Sequence, residues 1–104
     1  MAVVIEWLEF RVPTEHRERY VQVDDQIWTP ALQQYPGFIS KETWLDAEDP
    51  TLVVFMIRWR SRDEWYAIPE AALANIEQAF DAALGVPYEL AASRSFQVRR
   101  FPVG

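Results

Sequence analysis

The stretch from Thr51 to Arg60 makes the strongest demand on any fold, because it is apolar in both phases of a β-strand. Val53, Phe55, Ile57 and Trp59 alternate onto one face, and Leu52, Val54 and Met56, joined by Arg58, onto the other. Such a strand needs a cover on both sides. Val3 to Arg11 repeats the problem, with Val3, Ile5 and Trp7 in one phase and Val4, Glu6, Leu8 and Phe10 in the other. Alternation without bulges predicts that Val3, Ile5 and Trp7 lie beneath helices together with Val53, Phe55, Ile57 and Trp59. It places Glu6, Leu8 and Phe10 on the second face with Phe38, Ser40, Glu42, Trp44, Met56, Arg58, Leu90, Arg94 and Phe96. A continuous apolar patch of several hundred Å² left open promotes association, so a second copy of the chain is the expected cover and a homodimer the expected state.

The remaining punctuation sets the order of elements. Pro13 and Thr14 end the first strand, and Thr14 is placed to cap a helix carrying Tyr20, Val23, Ile27 and Ala31 at helix-face spacing. Pro30 removes a backbone donor and predicts a kink or break near Thr29, and Pro36-Gly37 closes the segment. Phe38 to Asp46 and Thr51 to Arg60 read as a hairpin, with Asp46, Glu48, Asp49 and Pro50 as a solvated turn. Ser61 and Glu64 have capping-box spacing before a helix that restarts at Pro69, with Ala72, Ile76, Ala79, Phe80 and Ala83 as its buried stripe. Gly85 and Pro87 stop it, and Tyr88 to Phe101 reads as a last strand. Strand, helix, strand, strand, helix, strand is the order of an α+β, ferredoxin-like sandwich: a four-stranded antiparallel sheet with two helices on one face. At 104 residues, one domain is expected.

Composition narrows the function. Sixteen acidic against ten basic residues give a net charge of −6, and Lys41 is the sole lysine, so nucleic-acid binding is not expected. No apolar run reaches the roughly 18 to 20 residues of a membrane span, and the start lacks a secretion signal's basic, apolar, small-residue series, which predicts a cytoplasmic protein without membrane contact. There is no cysteine and one histidine, so neither a thiolate site nor a three-His metal site can be built from one chain.

The strings Trp28-Thr29-Pro30, Pro36-Gly37-Phe38 and Trp59-Arg60-Ser61-Arg62-Asp63-Glu64-Trp65, with the element order over residues 3 to 100, resemble the antibiotic-biosynthesis-monooxygenase-like dimeric α+β barrel superfamily. Within it the chain is similar to a branch found largely in cyanobacteria and other bacteria. The resemblance implies a homodimeric barrel with a pocket between sheet and helices. It implies binding of a small apolar or aromatic compound, and in some relatives the oxidation of polycyclic phenols without metal or flavin; other relatives open haem or isomerise ring compounds. The helical histidine frequent in relatives aligns with Ile68, and the first-strand asparagine of haem-degrading members falls near Glu6 and Trp7, so no cofactor is expected. A non-catalytic binding or structural protein is the alternative.

Individual residues sharpen this. Glu6, Glu42 and His16 are the candidates for moving a proton: His16 is the one imidazole of the chain, although it falls in a polar first helical turn, and the two carboxylates interrupt apolar strand rows. Glu6, Glu42, Arg58 and Arg94 are expected to meet in one buried network. Trp28 and Trp65, beside the proline irregularities, with Trp44 and Arg58, are the candidates for holding a flat ligand.

Overall fold

The computed structural model describes residues 2–104. Strand β1 (Val4–Arg11) leads through a 3-10 turn (Thr14–His16) into α1 (Arg17–Gln26) and then α2 (Trp28–Gln33). The hairpin strands β2 (Phe38–Leu45) and β3 (Leu52–Trp59) follow, then α3 (Arg62–Tyr66), α4 (Glu70–Leu84) and β4 (Glu89–Gln97). The sheet is antiparallel throughout, in the order β2-β3-β1-β4, with the helices on one face. The first strand is therefore interior and the last is an edge. Among the described residues no helix is long and apolar enough to cross a membrane.

Register decides which side chains meet, and it corrects the alternation pattern. Val4, Glu6, Leu8 and Phe10 lie opposite Trp59, Ile57, Phe55 and Val53, and directly opposed residues share a face. These, and not Val3, Ile5 and Trp7, are the β1 residues under the helices. On β2 the register shifts between Phe38 and Ser40, so the extra residue turns Phe38 into the core while Ser40, Glu42 and Trp44 point to the opposite face. Lys41 and Thr43, opposite Ile57 and Phe55, take the helix-facing positions.

Two clusters fill the space between the layers. Tyr20, Val23, Phe55, Phe80 and Leu84 form one, and Leu32, Ile57, Trp59 and Ile68 the other. Burial of each large apolar side chain stabilises the fold by about 1.5–3 kcal/mol. The α4 stripe thus runs through Leu73, Phe80 and Leu84, while Ala79 and Ala83 are exposed.

Local chemistry explains the boundaries. Thr14 makes no capping bond, and the chain enters α1 through the 3-10 turn. The break between α1 and α2 falls at Ile27, upstream of the expected Thr29, which leaves Pro30 within the first turn of α2, where its missing N–H has no intrahelical partner to lose. Ser61 Oγ accepts from the Glu64 N–H at 3.1 Å, and the Glu64 carboxylate pairs with Arg60 and accepts from the Ser61 hydroxyl at 3.2 Å in place of the Ser61 backbone N–H, so half of the capping box forms. In the acidic turn Asp46 accepts the N–H groups of Glu48 and Asp49 at 2.8 and 2.7 Å. Gly85 ends α4 in the left-handed conformation at φ 72°. Regular pairing of β4 stops at Gln97, short of the expected Phe101.

Candidate functional site

Between the sheet and the helices lies a cavity of about 870 Å³, near the upper end of the size that takes a drug-sized ligand. Its floor is the helix-facing row of β1 and β3: Glu6, Leu8 and Phe10 with Phe55, Ile57 and Trp59. Its far wall is Trp28, Leu32, Trp65 and Ile68, and Leu73, Glu77, Asp81 and Tyr88 stand along the α4 side. Trp59 and Trp65 lie parallel, interplanar angle 3° and centroids 6.5 Å apart, and present flat apolar surface.

Three polar features interrupt this apolar wall. Glu6 sits mid-floor, and its Oε1 accepts a hydrogen bond from the Trp59 indole N–H at 3.1 Å. Burial raises its proton affinity above the ordinary carboxylate range, while the Trp59 bond and the positive charge of Lys41 oppose that shift. Lys41 forms a buried ion pair with Asp24: Nζ stands 2.5 Å from Oδ2, with both side chains 4% exposed. The same ammonium donates to Thr29 Oγ1 at 2.8 Å and lies 4.7 Å from the Phe55 ring centre. Burial pushes the Asp24 carboxyl up, and Lys41 pulls it back down. Nearer the end of α4, Tyr88 donates its hydroxyl to Asp81; burial and this bond push the Tyr88 phenol up. Burial, with Asp24 nearby, does the same to Tyr20.

Of the residues singled out from sequence, Glu6, Trp28 and Trp65 line this cavity. Glu42, Arg58 and Trp44 do not. They stand on the opposite face of the sheet, where Arg58 donates to Glu42 at 3.0 Å and the Trp44 indole donates to Glu42 at 3.1 Å. Those two bonds hold the Glu42 carboxyl below its ordinary value, which makes it a poor proton acceptor beside Glu6. The expected network of Glu6, Glu42, Arg58 and Arg94 is therefore split: opposite strand phases and the β2 bulge send Glu6 to one face and the others to the other. His16 also lies away from the cavity, in the turn ahead of α1. Lys41 and Asp24 were the residues not anticipated as site groups. Their signals were a lone lysine in an apolar strand and a carboxylate one helical turn beyond Tyr20.

Chemically, the cavity offers flat apolar walls, the Glu6 carboxyl on its floor, and an ammonium held by two oxygens. Ile68 is an apolar part of the wall. Among the described residues no group of three or more His, Cys, Asp or Glu side chains could hold a metal ion.

The profile of the family described as antibiotic biosynthesis monooxygenase matches residues 3–87. The chain belongs to this family. Solved structures agree on the fold. A monooxygenase from the gene ActVA-Orf6 of Streptomyces coelicolor, solved in complex with nanaomycin D, superposes with a TM-score of 0.75 at 17% identity, over 99% of this chain and 93% of that one. SnoaB, a cofactor-independent oxygenase from Streptomyces nogalater, superposes in a mutant form with a TM-score of 0.70 at 16% identity, over 97% of each chain. No curated protein is close enough in sequence to count as a match. Membership in this family supports a small-molecule-binding or monooxygenase-like role.

Proposed function

We propose that this protein is a cofactor-independent oxygenase that oxidises a flat phenolic compound in the cavity between sheet and helices. The observation that carries the reading is a half-buried carboxyl of raised proton affinity, Glu6, set in the floor of an aromatic-walled cavity. Glu6 accepts the phenolic proton, and the electron-rich phenolate then passes an electron to dioxygen. The resulting phenoxyl radical and superoxide couple at a ring C–H carbon para or ortho to the hydroxyl, and Glu6 returns its proton to the peroxide, giving a hydroperoxy-dienone. Loss of water takes the hydrogen of that C–H carbon, breaks the O–O bond and leaves a quinone, so HO–Ar–H + O₂ gives O=Ar=O + H₂O, with the substrate supplying all four electrons. The Trp59 bond orients the carboxyl, and the dry aromatic walls protect the peroxide.

The proposal includes a homodimer. On the face away from the helices, Trp7 packs edge-on against Trp44 and Phe96, with centroids 5.3 and 6.3 Å apart, and Trp44 and Phe96 remain 41% and 40% exposed. A second copy packed sheet to sheet covers them.

Oxygen uptake with flat phenols and quinols tests the chemistry. Glu6→Gln loses uptake while retaining ligand affinity, and Glu42→Gln, on the other face, keeps uptake if its mass in solution is unchanged. Full activity in both variants overturns the role of Glu6, and no uptake with any such compound favours a binding protein. Light scattering across dilution is expected to give twice 12.2 kDa, and a 12.2 kDa particle at micromolar concentration overturns the dimer.

A further inference from the structure

The chemistry above uses Glu6 and leaves the most deeply buried charge of the cavity wall without a task. Lysine is almost never fully buried unless it is paired, and a buried ion pair is a poor way to gain stability, because well-packed apolar residues in its place are often as stable or more so. Lys41 and Asp24 are nonetheless both held at 4% side-chain exposure beside the cavity. The ammonium has three donors; Asp24 and Thr29 take two, and no hydrogen bond to the third forms among the described residues.

The strand register sets where this ammonium stands relative to Glu6. Lys41, Ile57 and Glu6 form one row across three strands, β2, β3 and β1, on the helix-facing side. The two polar ends lean apart along β3: Glu6 reaches to Trp59, and the Lys41 ammonium lies over Phe55. Phe55 and Trp59 are four residues apart on one strand, about 13 Å at the rise of a β-strand, with Ile57 between them. The floor is thus an apolar strip with a carboxyl toward one end and an N–H donor toward the other.

We infer that Lys41, fixed by Asp24 and Thr29, is the second anchor of the cavity, donating a hydrogen bond to an oxygen on the far edge of a flat aromatic ligand whose hydroxyl faces Glu6. This rests on the reading of the cavity as an aromatic-ligand site and adds its specificity: the ligand carries oxygens on two opposite edges. The far oxygen is neutral, a hydroxyl or carbonyl. Asp24 already balances the ammonium, and Glu77 and Asp81 also line the cavity, so an added carboxylate meets net repulsion.

Calorimetric titration of the full chain with three bicyclic probes tests this. 2,6-Dihydroxynaphthalene is expected to bind about tenfold tighter than 2-naphthol, the equivalent of about 1.4 kcal/mol for the added hydrogen bond. 6-Hydroxy-2-naphthoate is expected to bind no better than 2-naphthol. In the double variant Lys41→Met/Asp24→Asn, which removes both charges of the pair, the preference for the diol over 2-naphthol falls to within about twofold, a ratio between two probes from which any change common to both drops out. Thr29→Val, a smaller change, weakens the diol preference in the same direction. Equal binding of diol and 2-naphthol by the unaltered protein overturns the inference without any variant. Survival of the preference in the double variant also overturns it, and tighter binding of the carboxylate than of the diol overturns the neutral-oxygen assignment. Failure of all three probes to bind overturns the aromatic-ligand reading as well, whereas a clear diol preference without oxygen uptake sinks only the oxygenase reaction.

Discussion

Lys41→Met alone is the most revealing single change for stability. The substitution preserves length and apolar volume but leaves Asp24, at 4% side-chain exposure, without its cation and with Thr29 as its remaining neighbour in that cluster. Removing one partner of a buried pair costs about 3–5 kcal/mol. A domain of this size has roughly 5–15 kcal/mol of stability in total, so the variant sits near the edge of folding. At about 4–8 °C per kcal/mol, the melting temperature falls by at least ~12 °C. The loss also depends on pH. With Lys41 gone, only the Thr29 hydrogen bond still offsets the burial that raises the proton affinity of Asp24, so the folded-state carboxyl titrates further above its unfolded value of 3.8. The folded state then binds more protons than the unfolded one across that interval, and stability recovers as pH falls through the folded value toward the unfolded one. Urea unfolding followed by tryptophan fluorescence at pH 7 and pH 5 measures both effects, and Lys41→Met/Asp24→Asn is expected to recover most of the loss. A single variant within 1 kcal/mol of the unaltered protein, or a double variant no better than the single, refutes the reasoning.

Glu6→Gln removes a carboxyl whose charged form is disfavoured by burial, so it is expected to raise the melting temperature at pH 7, with the gain shrinking as pH falls toward the unfolded value; a variant less stable at pH 7 contradicts this. Trp65→Ala opens the wall parallel to Trp59 and is expected to lower the oxygen-uptake rate more than ligand affinity, checked by separating kcat from binding in a variant of unchanged mass. Gly37→Ala puts a methyl 2.5 Å from Glu64 Cβ, forcing the start of α3 off the Pro36-Gly37 turn, and is expected to cost about 1–3 kcal/mol in urea unfolding.

Much of this architecture is legible without coordinates, because it is written in local chemistry. Proline and glycine positions, the Ser61 cap and the two-sided apolarity of Thr51 to Arg60 specify the number, kind and order of elements, and they place Trp28 and Trp65 beside irregular backbone. What a strand pattern cannot carry is its register against its neighbours. A shift of one residue exchanges every side chain between faces, and a bulge such as the one between Phe38 and Ser40 is invisible in a period-two reading. That is why Glu6 and Glu42, alike in sequence, part company: cross-strand pairing turns Glu6 toward the helices and leaves Glu42 bound to Arg58 and Trp44 on the open face. The Lys41–Asp24 pair likewise joins residues 17 positions apart, on a strand and a helix, through a contact that only the packed layers create. Sequence alone determined the elements and the apolar demand on both faces of the sheet, since these follow from neighbours along the chain. Tertiary structure decided which charges share the cavity, since burial and pairing depend on neighbours in space.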